Sequence, residues 1–507
     1  MSSPLVDAEI LGRTGRFSEL LNFLQSSNYS DEFICRRYKL DRTEYFELDR
    51  KKRMPLPIPA SAADVLITLF LAGESLDLKI VLNFLGAEKI VLLEEMGLLR
   101  CEPEAGLCYA TVALYPVGDL FIASDRWSTH DGTEFSGPED VVYPAFIPNT
   151  RIFLHHLPRR ACIRFLDLCG GTGIGALLAA RNGAKQAWSG DISERCTRFA
   201  EFNRRLNNIS NVEAVSSDLY ENFENCRFDL ISAHPPYVPT LQPKWIFFSG
   251  GRDGEEITRR IVEGLPHHLN DNGLFIALTM GTDRIDRPFE SRIREWLGAN
   301  ENEFDVAFIS RKDIDPQEFA LRANRGSVRT REESELWNQL FKNLGITSLA
   351  YGFICIRRRS NARRTFTLRR QAPSGLRSPW EWLMNWESAV CTEGLEQLIL
   401  DSPLHASQKT EFLVLHHLDK SLWNPSSYKL RIEYPFNMEC DAQPWMAHLI
   451  SLCDGKVTGR DVLRTLIENE ALPKSSPAAE FARAAASLVS GGFIEIEGFR
   501  LPQAVKL

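Results

Sequence analysis

The stretch Phe165-Leu166-Asp167-Leu168-Cys169-Gly170-Gly171-Thr172-Gly173-Ile174-Gly175 decides how this 507-residue chain is read. An apolar run enters a glycine-rich turn, and small residues from Ala176 to Arg181 leave it with helical character. Glycines let the backbone approach a ligand closely, and the start of the next helix presents free N–H groups. Moving outward, short apolar runs at 163–168, 186–190, 212–215, 228–233 and 274–279 alternate with helical stretches, the pattern of a parallel sheet covered on both faces. Runs at 304–310 and 349–357 supply two more strands as an antiparallel pair. The expected fold is therefore α/β, a seven-stranded Rossmann-like core.

A glycine-rich turn is shared by several cofactor classes, so the residues after it decide between them. Asp191 ends the second run, 24 residues after Asp167, where an acid accepts both hydroxyls of a ribose. Asp218 ends the third run, in place to take an adenine amino group. The fourth run ends in His234-Pro235-Pro236-Tyr237. An acid on the first strand and a rigid Pro-Pro-aromatic on the fourth do not belong to nicotinamide enzymes.

With these residues in view, the region 143–280 resembles the class I S-adenosylmethionine (SAM) methyltransferases of the PrmC/HemK type, which methylate the glutamine amide of release factors. Their (Asn/Asp/Ser)-Pro-Pro-(Tyr/Phe) signature is matched in its last three positions by His234-Pro235-Pro236-Tyr237. Their Gly-Gly-x-Asp-Gly turn is matched by Gly250-Gly251-Arg252-Asp253-Gly254, and their upstream Pro-(Asp/Asn)-Thr by Pro148-Asn149-Thr150. The resemblance implies that Asp167 orients the methionine ammonium of SAM, that Gly171 and Gly173 let the loop pass beneath it, and that Asp191 and Asp218 hold ribose and adenine. Cys169, Ile192, Leu219 and Thr150 complete the implied cofactor-binding set, with S-adenosylhomocysteine as product. Cys169 stands where the family has a glycine.

Methyl transfer from a sulfonium is an in-line displacement, so the protein mainly positions the acceptor and tunes its lone pair. In the resembling family an asparagine accepts the N–H hydrogens of the acceptor and the aromatic packs on its planar group. Here His234 replaces it, and a neutral imidazole offers one acceptor and one donor, with general-base action near pH 7 as a further capacity. His234 thus either binds a different acceptor or keeps an anchoring role while Pro235, Pro236 and Tyr237 shape the pocket. Trp245, Phe247 and Phe248 are candidates for its wall, with Tyr143 and Arg252 as weaker ones. The leading expectation is N-methylation of a small molecule or of a peptide or protein side chain. The alternatives are a nucleic-acid base methyltransferase that stacks a flipped base, and an adaptor with a degenerate core.

Flanking regions divide into an expected helical, winged-helix-like domain at 1–125, the methyltransferase domain at 126–360, and a small α+β, winged-helix-like domain at 361–507. In the last, 460–469 and 477–490 read as helices, and 493–496 and 499–502 as strands. Seven arginines between Arg357 and Arg370 read as a solvated domain exit or, alternatively, a nucleic-acid contact. A net charge of −8 weighs against nucleic acid as partner. No apolar run approaches the ~20 residues of a spanning helix, and the first residues show no leader pattern, so a cytoplasmic protein is expected. Eleven cysteines without a C-x-x-C pair indicate neither a zinc ribbon nor a disulfide framework. His155-His156 and His267-His268 read as structural, and no metal is expected.

Overall fold

The computed structural model describes residues 7–47, 52–131, 137–242, 245–322 and 329–507. Residues 1–6, read above for a leader pattern, lie outside the described residues. The chain forms two compact units, Met1–Thr279 and Met280–Leu507.

The first unit is built on five strands: β1 (Arg164–Leu168), β2 (Gln186–Asp191), β3 (Val212–Ser216), β4 (Phe228–Ala233) and β5 (Leu269–Arg284), whose last residues pass into the second unit. They lie in the order β3-β2-β1-β4-β5, all parallel. Their apolar runs are buried, among them Phe165, Leu166, Phe228, Ile231, Phe275 and Ile276. Each contributes about 1.5–3 kcal/mol of transfer free energy. Helices α1 (Pro148–His156), α2 (Ile174–Arg181), α3 (Glu194–Leu206) and α4 (Glu256–His268) accompany the strands. β5 begins five residues earlier than its apolar run. Its register slips between Leu269 and Leu274, across Asn270-Asp271-Asn272-Gly273, where Asn272 has φ +58°.

Before α1, the unit holds short helices, a three-stranded sheet of Leu76–Asp77, Leu107–Ala110 and Leu99–Glu102, and a hairpin of Ala113–Val117 and Leu120–Ser124. The expected boundary at residue 125 falls inside this unit, and α3 is the reason. Asn203 of α3 and Asn207, which caps its C-terminus, bond through their side-chain amides to both backbone groups of Ala123 and of Phe121. Asp125, fully buried, pairs with Arg195 of the same helix at 2.5 Å. The cysteine expectation is corrected at one place: Cys101 and Cys108 lie opposite each other on the paired strands Leu99–Glu102 and Leu107–Ala110, with Cα atoms 4.2 Å apart, and are joined by a disulfide.

In the second unit β6 (Phe304–Ile314) and β7 (Ile346–Arg358) form the expected antiparallel pair, and β8 (Thr367–Gln371) adds to β6 in parallel. The arginine run is therefore not an exit from a domain, because part of it is this added strand. Beyond it lie the helix Trp380–Val390 and a long hairpin of Glu411–Asp419 and Leu422–Ile432. The helices Gly459–Glu468 and Ala478–Gly491 are present as expected, as is the strand Ile494–Ile496. Residues 499–502 form no strand. Among the described residues, no helix is long and apolar enough to cross a membrane.

Candidate active site

β1 ends in a loop with three left-handed positions, Cys169 (φ +55°), Gly171 (φ +55°) and Gly173 (φ +78°). A glycine is the ordinary occupant of such a position, and a side chain there costs roughly 1–2 kcal/mol, so Cys169 is strained where the resembling family has none. At Gly173 a Cβ would lie 2.8 Å from the Ala200 Cβ of α3, so the glycine permits close packing. At Gly171 the corresponding space is open. Asn203 also binds the loop, donating to the Thr172 carbonyl at 2.9 Å.

Asp167, 3% exposed, accepts a 2.5 Å hydrogen bond from Ser232 of β4. Burial pushes its carboxyl up to about 7; the Ser232 bond opposes this and the Asp191 charge adds to it. Helix α2 passes so close that a Cβ on Gly175 would sit 2.2 Å from Asp167 Oδ2. Asp191 ends β2 and accepts the Gly171 N–H at 2.9 Å and the Ser193 N–H at 3.0 Å. Burial raises this carboxyl too, while the backbone donors hold it down. Ile192, 55% exposed, stands beside it. Leu219, buried at φ +51°, follows Asp218 after β3. Asp218 is held by Arg260 of α4 at 2.8 Å, a partner 42 residues away that the sequence did not announce. Burial raises the Cys169 thiol, and the charges of Asp191, Asp167 and Asp218 push the same way, so three strand ends converge on this loop.

The acceptor motif leaves β4 directly beside that loop. Leu168 pairs with Ala233 in the sheet register, so Cys169 and His234 begin their loops from neighbouring strands, roughly 4.8 Å apart. His234 lies between two rings, Phe153 of α1 at 5.2 Å and Tyr237 at 5.8 Å. Burial pushes its imidazole down to about 4, so the ring is neutral from pH 6 to 9 and its titration does not fall near pH 7. Tyr237 Oη accepts a 3.2 Å hydrogen bond from Asn149 Nδ2. Asn149 and Phe153, four residues apart on α1, thus address the two ends of the motif. The sequence named the Pro-Asn-Thr motif but credited Thr150 alone. Thr150 is half-buried on the same helix.

The Gly-Gly-x-Asp-Gly turn backs the motif through main-chain atoms. Gly250 N–H donates to the Val238 carbonyl at 3.0 Å, Thr240 N–H to Gly251 at 2.9 Å, and Val238 N–H to Phe248 at 3.2 Å. A Cβ on Gly250 would meet the Gly254 carbonyl at 2.6 Å and Tyr237 Cα at 2.8 Å; one on Gly254 would meet the Tyr237 carbonyl at 2.5 Å. Next to this clamp Phe247 stacks on Tyr143 at 4.6 Å, with Trp127 and Trp245 within 6.4 Å, in a half-buried aromatic cluster. Arg252 is exposed. His156 and His268 each place Nδ1 on a backbone carbonyl, of Ile152 at 2.8 Å and Cys226 at 3.0 Å.

A parallel sheet in this order, a glycine loop gripped by an acid from the next strand, and a Pro-Pro-aromatic beside it form the arrangement expected of a class I SAM-dependent methyltransferase domain. Residues 147–281 match the family model described as methyltransferase small domain. The chain is 36% identical over 115 residues to a protein of Methanocaldococcus jannaschii provisionally named a protein N5-glutamine methyltransferase, covering 22% of this chain and 57% of that one. It is 33% identical over 153 residues to a release factor glutamine methyltransferase of Thermodesulfovibrio yellowstonii (26% and 55% covered). To a ribosomal protein uL3 glutamine methyltransferase of Bradyrhizobium diazoefficiens it is 32% identical over 166 residues (30% and 52%). The chain thus spans little more than half the length of these relatives.

Proposed function

We propose that this protein transfers the methyl group of SAM to a side-chain nitrogen of a protein or peptide held at His234-Pro235-Pro236-Tyr237. The observation that carries the reading is the register of β1 and β4, which starts the cofactor loop and the acceptor motif side by side. The residues present suit SAM: the loop offers open space at Gly171, Asp167 is buried where the loop begins, and Asp191 grips the loop from the end of β2. SAM supplies an electrophilic methyl group when bound. Asp167 orients the ammonium, Asp191 the ribose and Asp218 the adenine, with Ile192 and Leu219 as apolar flanks.

The acceptor nitrogen needs its hydrogens held and a proton removed after it gains the methyl group. His234, neutral at working pH, accepts one N–H, and Tyr237 packs on the planar group, steadied by Asn149. An imidazole titrating near 4 is a weak base, matched to a nitrogen that becomes strongly acidic on methylation. A carboxamide is such a nitrogen and an alkylamine is not. The glutamine acceptors in the names of the three relatives agree with this choice. A nucleic-acid acceptor finds little support, because Arg358, Arg363, Arg369 and Arg370 of the arginine run are engaged by carboxylates.

Methyl-labelled SAM incubated with the full chain and cell extract tests the reading. Label is expected in the protein fraction, on a side-chain amide after peptide mapping. Label confined to the small-molecule or nucleic-acid fraction refutes it.

A further inference from the structure

The long hairpin of the second unit breaks the patterning that its surroundings require. An antiparallel strand with a solvated face alternates apolar and polar residues, and continuous apolar runs belong to strands covered on both faces. Glu411–Asp419 carries Phe412-Leu413-Val414-Leu415 without a polar break, and Leu418 follows two histidines. Yet from Val414 through the turn to Ser426 every residue is exposed. Val414, Leu415, Leu418, Leu422 and Trp423 lie in this stretch, the last two 68% and 67% exposed. Together they offer on the order of 500 Å² of apolar surface, the scale of patches that mark interaction sites.

The strand is also a sheet edge. Leu422–Ile432 lies between Glu411–Asp419 and Met438–Asp441, and among the described residues Glu411–Asp419 pairs only with Leu422–Ile432. Met438–Asp441 reaches only Lys429 to Ile432, so the outer part of the hairpin is a two-stranded ribbon, a marginal structure in water. Solvated edges are ordinarily blunted by lysine or proline. Residues 411–419 contain neither.

We infer that this edge pairs antiparallel with the same edge of a second copy of the chain, joining two three-stranded sheets into one. A twofold axis normal to the sheet keeps each residue on its own face, so the pairing is centred on a residue. Centred on Leu415, Glu411 would face Asp419 of the second copy, and centred on His416, that ring would face itself. Centred on Val414, the strand complements itself: Val414 faces Val414, Leu413 faces Leu415, Phe412 faces His416, and Glu411 faces His417. Just past the ends, Lys409 of each copy falls opposite Asp419 of the other. Glu411 keeps Arg431 at 3.5 Å within its own sheet, with acceptor sites left for a His417 ring N–H. One sequence thus satisfies charge, apolar and backbone groups against itself, which argues for a second copy as the occupant. Two arms brought together cover roughly 1,000 Å², at the low end of specific interfaces, which suits a weak dimer. The inference is independent of the methyl-transfer reading.

Sedimentation velocity of the full chain between about 1 and 200 μM tests it, with a monomer–dimer Kd on the order of 10 μM expected. Val414→Lys sets two ammonium groups at the axis and should weaken the dimer at least ~10-fold. Asp419→Lys should weaken it ~5-fold, and adding Lys409→Asp should restore it, a rescue that a merely destabilised hairpin would not give. These side chains are exposed, so the fold should survive each change. Facing residues of an antiparallel pair bring their Cα atoms within disulfide reach, so Val414→Cys should form a covalent dimer under mild oxidation. Leu422→Cys, at the tip and away from the axis, should not. A chain that stays monomeric up to about 200 μM overturns the inference, as does a dimer indifferent to Val414→Lys or equal cross-linking by both cysteine variants. A monomer that instead binds phosphatidylcholine vesicles through the hairpin assigns the patch to lipid and equally overturns it.

Discussion

Asp167 should make cofactor affinity depend on pH in a way that can be worked out from its surroundings. Its carboxyl is buried beneath the cofactor loop and titrates at about 7, far above an ordinary aspartate. The ligand-free protein therefore holds a proton there that the unfolded chain releases near pH 4. The sign follows from linkage. Between about pH 4 and 7 the folded state binds more protons, so this residue's contribution to stability is greatest at low pH and declines as pH rises. Binding behaves oppositely, because an ammonium at this position needs the ionised form. At pH 6 only about one-tenth of the molecules carry that form, so affinity should fall ~10-fold, or ~1.4 kcal/mol, relative to its plateau above pH 8, and ~100-fold at pH 5. Calorimetric titration of S-adenosylhomocysteine from pH 5.5 to 8.5, in buffers of different ionisation heat, measures both terms. About half a proton should be released per ligand bound near pH 7. Asp167→Asn, which keeps the size that fits beneath Gly175, should bind weakly with no pH dependence over this range. Affinity that is flat between pH 5.5 and 8 in the unaltered protein, or proton uptake in place of release, refutes the reasoning.

Gly250→Ala drives a Cβ into the Gly254 carbonyl and Tyr237 Cα, so labelled-methyl turnover should drop ~100-fold or more while S-adenosylhomocysteine affinity stays within ~2-fold. Asn149→Ala should lower turnover ~5-fold, the worth of one hydrogen bond of about 1 kcal/mol. It should have no further effect when combined with Tyr237→Phe, which a double-mutant cycle reads directly. Turnover should not vary between pH 6 and 9 on account of His234, whose titration lies at about 4, and a His234-dependent step near pH 6.5 would show a solvated imidazole. Arg363→Met strands the fully buried Asp305 and should cost about 3–5 kcal/mol in denaturant unfolding, much of it recovered on adding Asp305→Leu.

The parallel core was legible because each strand is a short apolar run bounded by a turn, a local signal. β4 matches its expected span at both ends, whereas the start of β5 is polar and its bulge hides it. The candidate acids Asp167 and Asp191 were legible as strand-end residues because each closes an apolar run, and each lies within the last two residues of its strand. Contacts that join distant segments left no such trace. Asn149 meets Tyr237 across 88 residues, and Asn203 reaches Ala123 across 80. Nothing local marks Arg260 as the partner of Asp218, and four of the seven arginines read as one exposed block instead pair with carboxylates scattered from Asp283 to Glu387. Residues 499–502 looked like a strand because they alternate, but the Phe499 and Pro502 carbonyls bond to Trp382 and Tyr434.

The clamp between Gly250 and Val238 is made of peptide groups. Mutation cannot retune it one side chain at a time, since any substitution at Gly250 or Gly254 breaks it outright. The distance from the cofactor loop to the acceptor is thus a fixed dimension of the scaffold. Under the proposed reading, chemical variety is left to motif side chains outside that clamp, His234 among them. If the proposed activity holds, this residue is the natural handle for redirecting methyl transfer to another nitrogen.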